Sequence, residues 1–332
     1  MNRRLILGGL AAASLGGAAC AQAPTTPGFP TRPVRVIVPI APGGANDIIA
    51  RMVSERLSPA LGQPVIVENR PGAGGNIGGQ AVVQAEKDGH TLLFTSANVL
   101  TANKYLYAGR MPFDAMRDLA PVTRAGIGTI LLVANSQRPW RTAQELFAHA
   151  KAHPGDVTMG SSGTGTISHL YMERVKRAAG IDITHVPYRG GGPAIQDLLS
   201  GTIDLMFDVI PALLPYIREG QFRPLAAGSA KRIDYVPELA AVPGMDEVLP
   251  GQGIDALNWW SVVAPAGTPA PAVATLHRAI GQVLAQEELR QRLLSLTVLP
   301  TVDESPAAFG AFWRAQEPVW RALVEDSGAR AE

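Results

Sequence analysis

Four glycine-rich stretches each follow an apolar or β-branched run: APGGAND (41–47), NRPGAGGNIGG (69–79), GSSGTGTISH (160–169) and YRGGGPA (188–194). A strand that breaks into glycines and restarts as a helix lets the backbone pass close to a bound group. The first helical turn then leaves unpaired N–H groups facing that group. The chemistry this suits is capture of an anion without a basic side chain. The stretch at 69–79 reads more simply as a tight turn, whereas the other three end in a helix start carrying a small polar residue.

Other chemistries fit less well. A dinucleotide fingerprint needs G-x-G-x-x-G, and Gly163–Ser168 places serine at the third glycine position; no glycine is followed by lysine in a phosphate-loop context. A hydrolase elbow, G-x-S-x-G, does not fit Gly160–Thr164 in any register, and no Ser-x-x-Lys motif occurs. His149 and His153 have metal-ligand spacing, but no glutamate lies between them and Pro154-Gly155 follows at once, as at a solvated helix end. The spacing calls for no metal, no cofactor and no catalytic residue. Trp259 and Trp260 read either as the wall of a cleft that would suit an aromatic acid or as core on one side and surface on the other.

The elements that position the glycine stretches follow from periodicity. VRVIVPI (34–40), PVIVEN (64–69) and TLLFTSA (91–97) are expected strands, alternating with helices near 47–61 and 77–86. This order predicts a parallel sheet covered on both faces, with the glycine turns at strand carboxyl ends, where such sheets bind ligands. From Thr129 the alternation restarts: strands TILLVAN, VTMGSS, ITHVPY and IDLMFDV, with helices between. A Thr-x-x-Glu capping box at Thr142–Glu145 marks one helix start. Strands at 222–229 and 259–267 and helical patterns at 271–296 and 306–325 complete the chain. Two crossings, near 127–132 and 225–229, would hinge two α/β lobes. The expected division is lobe 1 at 34–128 and 229–332 and lobe 2 at 129–228.

The 332 residues carry 29 basic and 28 acidic side chains with no dense run of either sign, which argues against a nucleic-acid partner and for small molecules. The N-terminus has Arg3 and Arg4, an apolar run from Leu5 to Ala19 and the triplet Ala21-Gln22-Ala23: a signal peptide over 1–23, then a Pro/Thr-rich linker over 24–33. Sec and twin-arginine export both fit. Cys20, the sole cysteine, has glycine at 17 where a lipoprotein signal carries leucine, so cleavage after Ala23 is favoured and the mature chain has no disulfide.

Taken together, PVRVIVPIAPGGANDIIAR, VIVENRPGAGGNIG, GSSGTGTISHL, HVPYRGGGPAIQDLLSGTIDLMFD and WWSVVAPAGTP resemble the substrate-binding proteins of tripartite tricarboxylate transporters, the Bug receptors. The resemblance spans the whole mature chain. It implies a type II periplasmic binding-protein fold, two lobes closing on a small organic carboxylate, and delivery to a membrane permease by a monomer. By position, the ligand-binding residues it implies are Pro42, Gly43, Gly44 and Asp47 on one side and Ser161, Ser162, Gly163, Thr164 and His169 on the other. Gly191, Gly192, Pro193 and Ala194 form a third loop, and Ser96, Asn98 and Asp208 sit where the family chooses its ligand. Asp47 is expected to orient the loop rather than touch the anion, since two carboxylates in contact repel. Departures from the family pattern are Ile40, Thr166 and Ser261. A periplasmic enzyme for a carboxylated substrate and a sensing subunit for a membrane kinase are the alternative readings.

Overall fold

The computed structural model describes residues 28–329, so the expected signal peptide over 1–23 and Cys20 lie outside the described residues. Among these, nine strands form one mixed sheet: β1 (Val34–Val38), β2 (Val65–Asn69), β3 (Thr91–Ser96), β4 (Leu119–Asn135), β5 (Thr158–Ser161), β6 (Thr184–Pro187), β7 (Leu205–Val209), β8 (Phe222–Ala227) and β9 (Leu257–Pro265). The order is β2-β1-β3-β9-β4-β7-β5-β6, with β8 against β4. Both halves share one plan. β1 lies parallel between β2 and β3, and β5 lies parallel between β6 and β7. Each trio is then bordered by an antiparallel strand, β9 in the first half and β4 in the second, so the sheet is mixed where the alternation predicted a parallel one.

Nine helices of eight residues or more cover the described sheet: α1 (Ala45–Leu61), α2 (Asn76–Val83), α3 (Ala143–Ala152), α4 (Ile167–Ala179), α5 (Gly191–Ser200), α6 (Ile210–Arg218), α7 (Ala270–Leu284), α8 (Glu287–Leu294) and α9 (Pro306–Ser327). In α1, Ile49, Val53 and Leu57 recur every four residues and are buried, each worth about 1.5–3 kcal/mol of transfer energy. That face holds α1 even though no side chain caps its start. At α3 the Thr142 hydroxyl accepts from the Glu145 N–H, but the Glu145 carboxylate reaches the N–H of Arg141, so only half of the capping box forms. The pattern at 271–296 is two helices, because Gln286 takes an extended conformation between them.

β4 is far longer than the expected strand at 129–135. Pro121 and the glycines at 126 and 128 hid its first half from a periodicity reading. The ladder to β9 absorbs that segment with register shifts between Pro121 and Thr123 and between Arg124 and Gly126. β4 also carries the chain between halves: residues 119–129 pair with β9, and 130–135 pair with β7 and β8.

The return crossing is later than expected. After β8 the chain does not re-enter the first half at Ser229; Arg218 pairs with Glu238, and the Tyr171 hydroxyl donates to the Asp255 carbonyl at 2.9 Å, holding this stretch to α6 and α4. Only at Leu257 does it join β9. The two crossings thus lie side by side, β4 at 129–130 beside 256–257, tied by the Thr129 hydroxyl on the Ala256 carbonyl (2.6 Å) and the Ala256 N–H on the Gly228 carbonyl (2.8 Å). α9 also spans the seam, with Trp313 donating to the Leu100 carbonyl at one end and Arg177 to the Asp326 carbonyl at the other.

Candidate functional site

Three helices begin at one place. α1 starts after the turn Pro42-Gly43-Gly44, α4 after the loop 161–166, and α5 after Gly190. Their first turns border an inner chamber of about 30 Å3 through Ala45 and Asn46, Thr166 and Ile167, and Gly191. Ser96, Ser162, Asp208 and Asn258 complete its polar wall, and no arginine or lysine lines it. The first-turn N–H groups of a helix lack intrahelical partners, and its start carries roughly half a positive charge. The chamber therefore favours a negative group.

Asn258 supplies an independent sign of a ligand. It is 1% exposed, yet neither its side-chain nitrogen nor its oxygen meets a partner. Leaving buried polar groups unmet costs roughly 1–3 kcal/mol each, a cost that a bound polar group would remove.

An outer cleft of about 160 Å3 lies beyond, sharing Ile40 and Ser162 with the chamber. Gly72–Gly75, Tyr107, Gly163, Thr164 and Arg189 line it. The halves touch here through backbone. The Ala41 N–H donates to the Arg189 carbonyl at 2.9 Å, and a Cβ on Gly192 would fall 2.1 Å from the Pro42 oxygen. Only glycine at 192 permits that approach.

The loops around the chamber are tied in two different ways. In the first half, Asp47 accepts from the Gly43 N–H (3.0 Å), from Arg51 (3.0 Å) and from Asn69 (2.9 Å). Burial raises its pKa, but these bonds outweigh burial and hold the carboxyl below the usual carboxylate range. The Gly43 amide is thus already satisfied, leaving the first turn of α1 to face the chamber. A further chain of bonds runs from the Trp260 indole to Asn46 (2.7 Å), on to Ser96 (3.3 Å), Asn98 (2.9 Å) and the Gly74 carbonyl (2.9 Å).

The second half uses neutral groups. His169 Nδ1 accepts from the Gly165 N–H (3.1 Å), and its ring stacks on His185 with centroids 4.0 Å apart. His185 Nε2 meets the Ser161 hydroxyl at 2.6 Å, and that hydroxyl accepts from the Gly163 N–H. Burial lowers His169 to about 4; burial, and then His169, lower His185 to about 3. Ser161 beside His185 has the spacing of a nucleophile and its base. However, Ser161 is fully buried and lines neither cavity.

Of the residues singled out from sequence, Ser96, Ser162, Gly191 and Asp208 line the inner chamber, and Ser162, Gly163 and Thr164 line the outer cleft. Asp47, Asn98, Ser161 and His169 stand behind the walls and hold the loops. Pro42, Gly43, Gly44 and Gly192 lie at the contact between halves. Pro193 and Ala194 belong to the first turn of α5 and line neither cavity. Asn46, Thr166, Arg189 and Asn258 were missed; a polar residue opening an apolar strand was the available signal for Asn258. Gly72–Gly75, read as a plain turn, form a cleft wall. Ile40 lines both cavities, whereas Ser261 is buried within β9 and lines neither. Trp259 and Trp260 are 1% and 0% exposed, so neither walls the cleft, and the case they made for an aromatic acid falls.

Known proteins share this arrangement. A model of the tripartite tricarboxylate transporter family receptor, TctC, matches residues 49–327. The chain is 34% identical to protein BugT of Bordetella pertussis over 330 residues, 99% of each chain. Among solved structures it is similar to the periplasmic binding protein BugD (31% identity, TM-score 0.85, covering 92% of this chain and 100% of that one). It is also similar to R. palustris Rpa4515 with adipate (31%, 0.85, 91% and 99%) and to MatC from Rhodopseudomonas palustris with bound malate (31%, 0.82, 89% and 100%). A mixed-sheet α/β protein with this match along nearly its whole length belongs to the TctC family of periplasmic solute-binding receptors, the Bug type.

Proposed function

We propose that this protein receives a small organic carboxylate between its two halves in the periplasm and hands it, without altering it, to the membrane permease of a tripartite tricarboxylate transporter. The observation that carries the reading is the inner chamber, where three helix starts, drawn from both halves, meet the unpartnered amide of Asn258 with no cation in the lining. A neutral donor to an ionised acceptor is worth about 1.5–3 kcal/mol, and each helix start adds about 0.3–1. Four or five such donors reach the roughly 8 kcal/mol of micromolar binding after ordering costs. The chamber has room for a carboxylate group alone, so the rest of the ligand extends past Ile40 and Ser162 into the outer cleft. Arg189 lines that cleft and suits a second acidic group. A single chain suffices, because both sides of the site come from it, and hinge closure supplies the state that a permease reads. The bonds that fix Ser161 and His169 within the loop support a binding role over an enzymatic one.

Native mass spectrometry of the purified protein, followed by a thermal-shift panel of organic acids, tests the reading; stabilisation by one or more carboxylates is expected. Gly43→Val and Gly163→Val place a branched side chain at φ +83° and +131°, beside the two anion-facing loops. Both should abolish ligand-induced stabilisation while the far-ultraviolet circular dichroism stays unchanged. Unaltered affinity in both variants would refute the assignment.

A further inference from the structure

Asp208 sits at the end of β7 in the wall of the inner chamber and is 3% exposed. Its Oδ1 accepts from the Val209 N–H at 2.7 Å, and its Oδ2 accepts from the Ser162 hydroxyl. Among the described residues no cation approaches it. The charged and titratable groups on the elements packed around β7 are engaged elsewhere: Arg51 of α1 on Asp47, His169 of α4 with the Gly165 N–H, Tyr171 on the Asp255 carbonyl, Lys176 on Glu173, Arg174 on the Gln252 carbonyl and Arg177 on the Asp326 carbonyl. Asp197 of α5 accepts from Tyr188, Arg218 of α6 pairs with Glu238, Arg124 of β4 pairs with Asp303, and β5 has no titratable residue. Burial pushes the Asp208 pKa up, and the bonds from Ser162, Val209 and Ser168 recover only part of that shift.

A ligand carboxylate placed at the three helix starts would lie within a few ångströms of this side chain. Two ionised carboxyls about 4 Å apart, at an effective dielectric of about 20, repel by the equivalent of about three orders of magnitude in affinity. A proton on Asp208 Oδ2 removes that repulsion and leaves an O–H aimed into the chamber, with Ser162 and Val209 still donating to the carboxyl oxygens. We propose that Asp208 stands in the ligand complex as a neutral acid and donates a hydrogen bond to the ligand's carboxylate, so the site selects an acid with no ammonium group at that position. This rests on the carboxylate-receptor reading above.

The test uses the full mature chain carrying 13C-carboxyl aspartate, with the Asp208 signal identified by its loss in Asp208→Asn. Titration from pH 4 to 9 is followed alone and with malate, adipate or aspartate, and affinities are measured by calorimetry for both proteins. The expected results are a neutral-acid signal at pH 7 in the complex, malate bound more tightly than aspartate, and Asp208→Asn within about threefold of wild type at pH 6.5. A signal that stays ionised in the complex overturns the proposal. So does a preference for aspartate together with a loss above about tenfold in Asp208→Asn. A neutral-acid signal in a protein that binds no organic acid would instead overturn the carboxylate reading and leave the protonation standing.

Discussion

The turn at 41–47 and the loop at 161–169 meet across one small chamber, but they are held by opposite electrostatics. The first is fixed by an ionised carboxylate, Asp47, whose partner Arg51 is half exposed. The second is fixed by two buried neutral imidazoles, with the uncompensated Asp208 close by. One family of glycine turns is thus secured by charge on one side and by the exclusion of charge on the other. An ionic tie tolerates water and fails with salt or strong acid. A neutral tie ignores salt and fails once protons enter.

Acid gives the largest effect. His169 is neutral when folded, with its pKa lowered from 6.5 to about 4, so below 6.5 the unfolded chain binds the extra proton and stability falls as pH drops toward 4. The loss is on the order of 3 kcal/mol from this residue, at about 1.4 kcal/mol per pKa unit. Asp208 acts in the opposite sense: its raised pKa means that the folded state gains relative stability as pH falls. Asp47, with a lowered pKa, weakens only below the ordinary carboxylate range. Urea unfolding at pH 7.0, 5.5 and 4.5, with hydrogen-exchange protection read at Gly165 and Gly43, should show Gly165 losing protection first. Simultaneous loss would erase the contrast between the loops.

Next comes closure. Gly192→Val should hold the halves apart, because its Cβ overlaps the Pro42 carbonyl, and should weaken the ligand by about a hundredfold, ~2.7 kcal/mol, in calorimetry. Small-angle scattering should report an enlarged radius that ligand no longer reduces. Asp47→Asn should cost about 1 kcal/mol of unfolding free energy, a figure discounted because Arg51 is solvated. That deficit should shrink in 1 M salt, at an ionic strength of ~1 M, whereas one from replacing His169 should not. The smallest change is Asn258→Ala. Removing an unmet amide should raise thermal stability by about 0.5–1 kcal/mol while weakening the ligand, and a loss in both would show that Asn258 is structural.

Much of the scaffold was legible because local rules govern it. β1, β2, β3, β6 and β7 follow apolar or β-branched runs, and α1, α4 and α9 follow apolar repeats. The first half of β4 was not legible, since its proline and glycines are accommodated only by bulges against β9, a partner more than a hundred residues distant. At the site, the glycine stretches pointed to the right loops. Part of their division of labour was hidden: Asp47, expected to orient its loop, accepts from the Gly43 N–H, whereas His169, implied as a ligand contact, accepts from the Gly165 N–H behind the wall. Trp260, open in sequence between cleft wall and core, is buried and holds Asn46.

The sequence by itself determined the alternation of strands and helices and the places where bare amides would be exposed, because backbone freedom at glycine and first-turn geometry are local properties. Tertiary structure alone decided which amides remain open, which carboxyl is ionised and where the halves meet. Those outcomes depend on burial and, apart from the local ties of Asp47 to Gly43 and Arg51, on partners tens to hundreds of residues away. Asp47 has Arg51 one helical turn ahead. Asp208 has only what the fold places around it, and the fold places no cation there.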